Sequence, residues 1–239
     1  MDKLLQHLQR VGVHYLKSEN VLMLEISENR LHLASEIDRL IHELLGELQS
    51  SRLEKVRFEC PKILLDHLNC TRAKMDIIGE RVIYKRSFMS PLNVSTQDYE
   101  VWSFSDDNSI LFLSEVMGTS FSDAETFLTG MNTELPSQVK EMFTVYIVNN
   151  EPVGVVFPHI EPNTANEGRI FWIGIHPKFL RTGLGKNLHS IGLYRLKNDF
   201  KAMSYLGMTQ IDNMPMRNIM VSNGCIQNNN TVISLQYSI

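Results

Sequence analysis

The chain has 239 residues, 43% of them hydrophobic, enough for one large domain or two small ones with real cores. Its net charge of −4 gives no electrostatic case for nucleic acid, and no apolar run approaches the ~20 residues that cross a membrane. Cys60, Cys70 and Cys225 are odd in number and include no CxxC pair, which argues against structural zinc and a disulfide framework and points to a reducing cytoplasm.

Residues 1–20 show neither a signal-peptide core nor a cleavage site. Residues 2–17 predict a helix with Leu4, Leu5, Leu8, Val11 and Tyr15 on one stripe. Residues 21–26 and 30–33 read as a short hairpin across Ser27-Glu28-Asn29. Ser35 is expected to cap a stronger helix, with Asp38 in the capping-box position. Residues 55–60 alternate as a strand, and Pro61 starts a helix that runs to Leu68. Residues 81–88 read as a strand after a Gly79-Glu80 turn. The polar, aperiodic stretch 89–97 is the candidate linker between an N-terminal α+β segment, 1–90, and a second domain, 91–239. The first carries a net charge of +1 and the second −5. The acidic second part is either an ordinary solvated surface or a field suited to a cationic amine.

In the second part, 99–104 predict a strand and Asp106 or Asp107 caps a helix to Met117. Ser122 is expected to cap the next helix. Residues 143–148 and 153–160 form a hairpin across Asn149-Asn150. After a polar loop, 169–175 is a nearly unbroken apolar run that reads as a buried strand ended by Pro177. Leu184, Leu188, Ile191 and Tyr194 then follow at helical spacing. A strand at 202–209, a helix at 215–221 and a strand at 231–238 complete the chain. Residues 55–88 echo 201–238: strand, helix, a turn ending in Cys, final strand.

The turn Leu180-Arg181-Thr182-Gly183-Leu184-Gly185-Lys186 carries the chemistry. A helix N-terminus offers unpaired backbone N–H groups and a partial positive charge. Two glycines remove Cβ atoms, and Arg181 and Lys186 add charge, so the turn suits phosphate or pyrophosphate. It is not a Walker A loop, because Leu180 and Asn187 stand where Gly and Ser/Thr are needed. It is not a dinucleotide fingerprint, because Leu188 is too large for its place.

The stretch 169–200 resembles motif A of the GNAT N-acetyltransferase superfamily, in which a strand, a Pro-containing turn and Arg/Gln-x-x-Gly-x-Gly/Ala lead into a helix. Gly183 and Gly185 fit both glycine positions; Leu180 stands where Arg or Gln is usual, and Arg181 comes one place late. Farther on, Asn213 and Gly224 match the family pattern after the fifth strand, while Met220 replaces its tyrosine and Cys225 its phenylalanine. The resemblance implies an α/β (mixed α+β) fold, a mostly antiparallel sheet flanked by helices. The N-terminal segment is then either a truncated half-GNAT or an unrelated α+β extension. It also implies acetyl-CoA as co-substrate, its pyrophosphate on Arg181, Thr182, Gly183, Leu184, Gly185 and Lys186, its pantetheine arm on Ile173, Gly174 and Ile175, and Asn213 as a further cofactor residue. Glu167 is the candidate for accepting the amine proton. No metal, membrane or nucleic-acid partner is expected, and an oligomer stays open. The implied reaction is acetyl transfer to a primary amine of a small molecule or protein. The rival is a non-catalytic CoA-binding sensor or scaffold, and a nucleotide-phosphate binder is the third reading. Cys225 has no His or Asp partner near it in sequence and is read as a small buried residue.

Overall fold

The computed structural model describes residues 1–17, 20–26, 30–48, 53–89 and 97–238. The chain divides into two units. One comprises Met1–Ile83, Met208–Asn213 and Asn228–Ile239; the other comprises Tyr84–Gly207 and Met214–Gln227.

The first unit runs α1 (Asp2–Arg10), β1 (His14–Lys17), β2 (Val21–Glu25), a 3-10 turn at Leu31–Leu33, α2 (Ala34–Glu47), β3 (Lys55–Pro61), α3 (Lys62–Leu65), α4 (Asn69–Lys74) and β4 (Asp76–Ser87), whose last residues enter the second unit. Several sequence expectations change here. The helix expected over 2–17 stops at Arg10, because Gly12 takes φ +88 and turns the chain back. Residues 14–17 instead pair antiparallel with β2, His14 opposite Glu25. Residues 31–33 are not the return strand of a hairpin but lead into α2; the expected 27–29 turn lies outside the described residues. Gly79 and Glu80 lie within β4, where the Glu80 carbonyl accepts from the Ile211 N–H at 2.8 Å. The helix expected from Pro61 to Leu68 is only the short α3, Lys62–Leu65, and a second short helix, α4, begins beyond it at Asn69.

Ser35 does not cap α2, which starts one residue earlier without a side-chain cap. Asp38 does a different job. Its carboxylate accepts from the Cys70 and Thr71 N–H groups at 2.9 and 2.8 Å and from the Thr71 hydroxyl at 2.7 Å. It thereby closes the N-terminal end of α4, and those three donors let an acid sit only 7% exposed. Around it, α1 and α2 bury Leu8, Ile37 and Ile41 against Leu24, Phe58 and Leu235.

The second unit contains β5 (Tyr99–Val101), α5 (Asp107–Met117), α6 (Phe121–Glu134), α7 (Val139–Met142), β6 (Thr144–Val148), β7 (Glu151–Ile160), β8 (Glu167–Ile175), α8 (Leu184–Asn198), β9 (Ser204–Gln210), whose residues from Met208 belong to the first unit, α9 (Met214–Ser222) and the start of β10 (Ile226–Ser238). Asp106 caps α5 as expected, accepting from the Asn108 N–H at 2.9 Å. Ser120, not Ser122, caps α6, in a reciprocal capping box with Asp123. Asn149 and Asn150 both take positive φ, the geometry a two-residue hairpin turn needs.

Strand order is β1-β2-β3-β10-β4-β9 in the first unit and β4-β9-β8-β7-β6-β5 in the second. The β2–β3 and β8–β9 pairs are parallel; β1–β2, β3–β10, β5–β6, β6–β7 and β7–β8 are antiparallel. This is the mixed, mostly antiparallel sheet with flanking helices that the sequence implied. The succession β2–α2–β3–α4–β4 repeats β8–α8–β9–α9–β10 in order and in the parallel pairing of its first two strands. The last strands are exchanged. β10 pairs with β3, Leu235 opposite Phe58, while beyond β4 the Phe88 N–H donates to the Met203 carbonyl at 3.0 Å, beside β9. That exchange makes the first unit discontinuous in sequence.

Candidate active site

β8 and β9 pair only at Glu167–Gly168 with Ser204–Tyr205, and then the ladder stops. From Arg169 onward β8 keeps only its β7 neighbour, and its residues are half-buried rather than buried. Parallel pairing in the first unit contrasts with this: β2 and β3 stay in register over five residues, Val21–Glu25 with Lys55–Glu59. The second unit therefore has a split between parallel strands, and the first does not.

Within the split β8 is bulged. Ile173 faces Val156 and Ile170 faces Pro158, so Phe171 and Trp172 together oppose Phe157. Pro158 sits at this irregularity, where a missing N–H is tolerated on an inner strand. The bulge reverses the side-chain phase. Ile170, Ile173 and Ile175 pack with Leu188 and Ile191 of α8, whereas Phe171 and Trp172 both pack on the α5–α6 side, against Phe127.

β8 leads through a 3-10 turn, Pro177–Phe179, into the glycine turn. The Thr182 hydroxyl donates to the Phe179 carbonyl at 2.6 Å, Arg181 takes φ +65 and Gly183 takes φ +84 as the residue before α8. A groove of about 640 Å³ opens there. Its walls are Ile175, the turn from Phe179 to Lys186 without Thr182, and Pro215, Asn218, Ile219 and Ser222 of α9. The α9 residues recur at helical spacing, i, i+3, i+4, i+7, a pattern legible in the sequence but read there only as a helix.

The three glycines do different jobs. A Cβ at Gly183 would meet nothing within 4 Å; there the residue is needed for its backbone angle, and the space beside it is open. A Cβ at Gly185 would stand 3.0 Å from Ile219, so this glycine lets α9 close on α8. A Cβ at Gly174 would lie 2.2 Å from the Trp172 ring, so the gap on that strand is filled by the chain's own indole.

Of the expected cofactor residues, Ile175, Arg181, Gly183, Leu184, Gly185 and Lys186 meet in the groove. Ile173 is turned to the α8 side. Asn213 belongs to the first unit, its N–H on the Gln210 carbonyl at 3.0 Å. Glu167 lies at the opposite end of β8, roughly 26 Å along the strand from Ile175. Its carboxylate accepts from Arg169 Nε at 3.0 Å, and Arg169 also pairs with Glu161 at 3.4 Å. His159 is buried opposite Arg169, and burial pushes its pKa down, partly offset by Glu161. His176 stacks on Phe112 with Glu115 at 3.5 Å.

Met220 is buried under α9, and a Cβ at Gly207 would fall 3.0 Å from its methyl. α9 ends in a Schellman motif: the Cys225 N–H donates to the Met220 carbonyl and the Gly224 N–H to Val221, with Gly224 at φ +74. Cys225 is the buried apolar residue that follows such an end, and burial pushes its thiol up to about 11. It is thus a thiol at neutral pH, and buried, as the sequence suggested.

Behind the groove lies a buried polar cluster that the sequence did not reveal. His189 of α8 is fully buried, with Tyr205 of β9 on one ring nitrogen and Asn223 on the other; the Arg86 charge of β4 acts on it, and the Cys225 thiol lies near Tyr205 and Arg86. Burial, helped by the Arg86 charge, lowers its pKa from 6.5 to about 3. The unfolded chain therefore binds a proton below pH 6.5 that the native protein refuses. Stability from this group is complete above pH 6.5 and is lost as pH falls towards 3, at up to ~1.4 kcal/mol per pH unit. Urea melts between pH 7 and 4 should show that slope, and His189→Gln should remove it. Equal slopes in both proteins would refute the assignment.

Among the described residues no group of three or more His, Cys, Asp or Glu is placed to hold a metal, and no helix is long and apolar enough to cross a membrane. No protein-family model and no curated protein matches the sequence. Solved structures do match in fold. A GCN5-related N-acetyltransferase from Sphaerobacter thermophilus aligns with a TM-score of 0.68 at 11% identity, covering 95% of this chain and 76% of that one. A tandem GNAT protein from the clavulanic acid biosynthesis pathway aligns at 0.68 and 10% identity, with 95% and 78% covered. A GNAT-family acetyltransferase from Colwellia psychrerythraea aligns at 0.63 and 8% identity, with 95% and 81% covered. The chain has the fold of the GNAT N-acetyltransferases.

Proposed function

We propose that the second unit is an acetyl-CoA-dependent N-acetyltransferase acting on a primary amine. The observation that carries this reading is the split between β8 and β9, which opens towards a turn suited to a diphosphate. CoA fits these residues. The N–H groups of Gly183–Lys186, with Arg181 and Lys186, would hold the diphosphate. The released backbone edge of β8 as far as Ile175 would pair with the amides of the pantetheine arm. Bound acetyl-CoA supplies the activated acyl group. The chain's part is to hold amine and thioester together and to offer a β8 N–H to the thioester oxygen.

At a hundredfold excess over Kd a ligand adds ~2.7 kcal/mol, a melting shift of roughly 5–10 °C at this size. CoA and acetyl-CoA should produce it, and ATP and NAD much less. Absence of a shift at millimolar CoA would end the proposal.

Met220 supports the second reading, a CoA-binding module without turnover, since a thioether has no proton for a departing thiolate. A thiol of ordinary pKa near 8.5 needs little help to leave, so water suffices in the enzyme reading. Release of free thiol from acetyl-CoA over an amine library separates the two. Once an acceptor is known, Glu167→Gln should cost on the order of a hundredfold in rate if Glu167 takes the amine proton. Its position at the far end of β8, already paired with Arg169, makes this a severe test. An unchanged rate and pH profile would leave water and backbone carbonyls as the path.

A further inference from the structure

The polar cluster behind the groove has a direction that the hydrogen bonds define. Asn223 Nδ2 lies 2.9 Å from the Lys186 carbonyl, which only accepts, so the orientation of this amide is fixed. The same Nδ2 lies 3.0 Å from His189 Nδ1, which must therefore accept its second N–H. His189 is then the Nε2–H tautomer and donates to the Tyr205 hydroxyl at 3.2 Å. Tyr205 is opposite Gly168, the last paired position before the strands part. Lys186 belongs to the first turn of α8, on the groove. Arg86 holds the backbone carbonyl of Asn223 from the other side.

We propose that Asn223, His189 and Tyr205 form a positioning chain that sets the width of the groove. It ties the end of α9 and the apex of the split to the first turn of α8. α9 also comes close to α8 at Gly185, where an added Cβ would stand 3.0 Å from Ile219, but no hydrogen bond through that point fixes the spacing. These residues do not line the groove, and their effect on a diphosphate passes through the turn. The inference rests on the CoA reading above for its ligand but not for its geometry.

The test compares CoA affinity by calorimetry in the full chain and three variants, at a temperature where each is folded. Each of His189→Leu and Asn223→Ala breaks two hydrogen bonds of the chain and should weaken CoA about tenfold. His189→Gln, which can accept from Asn223 and donate to Tyr205, should stay within about threefold. A residue that serves only stability would lower Tm in all variants and leave the affinity of the folded protein unchanged. The half-buried Asn223 carries the test if His189→Leu does not fold. Long-range ¹H–¹⁵N spectra of the imidazole should show Nε2 protonated, and Asn223→Ala should speed hydrogen exchange in the first turn of α8. Wild-type affinity in Asn223→Ala, a Gln variant as weak as Leu, or an Nδ1–H tautomer would each overturn the proposal. If the wild type does not bind CoA, the acetyltransferase reading fails, and the tautomer and exchange results still decide this one.

Discussion

Gly183→Val should raise the Kd for CoA by at least a hundredfold while the protein still melts cooperatively. Gly183 sits at φ +84 beside open space. A β-branched residue is an outlier there and costs about 1–3 kcal/mol. The chain escapes that strain by rotating the peptide before α8, which turns N–H groups away from the groove. Gly183→Ala should show the same effect at smaller amplitude. Arg181→Ala should only weaken binding, because the backbone donors remain in place. Calorimetric titration of the three variants decides the matter. If Arg181→Ala abolished binding and Gly183→Val did not, the anion site would be built from side chains.

The largest loss of stability should come from Arg195→Met. Arg195 is only 2% exposed, the largest side chain buried to that degree among the described residues. Its Nη1 donates to the Glu141 carbonyl at 2.7 Å and to the Thr144 hydroxyl at 2.5 Å, and its Nε donates to Asp199 at 2.7 Å. Thr144 donates its own proton to the Met142 carbonyl, so its oxygen is free to accept from the guanidinium. The rings of Tyr99 and Phe200 flank the charge at 5.6 and 5.5 Å. Methionine fills most of the volume but leaves a buried carbonyl and a hydroxyl without their donor. The cost should be about 3–5 kcal/mol, a fall in Tm of roughly 6–20 °C. A loss below about 1 kcal/mol in a urea melt would contradict this account.

Elements whose signal is local were legible in the sequence. Asp106, the Asn149-Asn150 turn and the glycines after Pro177 each specify their own neighbourhood, and each does so in the structure. What was hidden depends on partners far along the chain. Asp38 has the spacing of a capping residue for its own helix, yet its oxygens bind N–H groups 32 and 33 residues away. Residues 14–17 continue a helical stripe, but Gly12 and the open edge of β2 take them into a strand. The bulge at Phe171-Trp172 cannot be read from an unbroken apolar run, because every phase of such a run is hydrophobic. It was the phase that decided which residues face α8. The exchange of β4 and β10 left only the echo of 55–88 in 201–238 as its trace. His189 offered no signal, since a histidine among helix residues looks the same whether exposed or buried.

The most direct test of the central claim is an amide ¹H–¹⁵N titration of the ¹⁵N-labelled protein with CoA. The split and the turn predict shifts confined at first to Arg181–Lys186 and Ile173–Ile175, with Ile219 and Ser222 of α9 following. Shifts that avoid Gly183 and Gly185, or that gather on β1 and β2 of the first unit, would contradict a cofactor groove between α8 and α9.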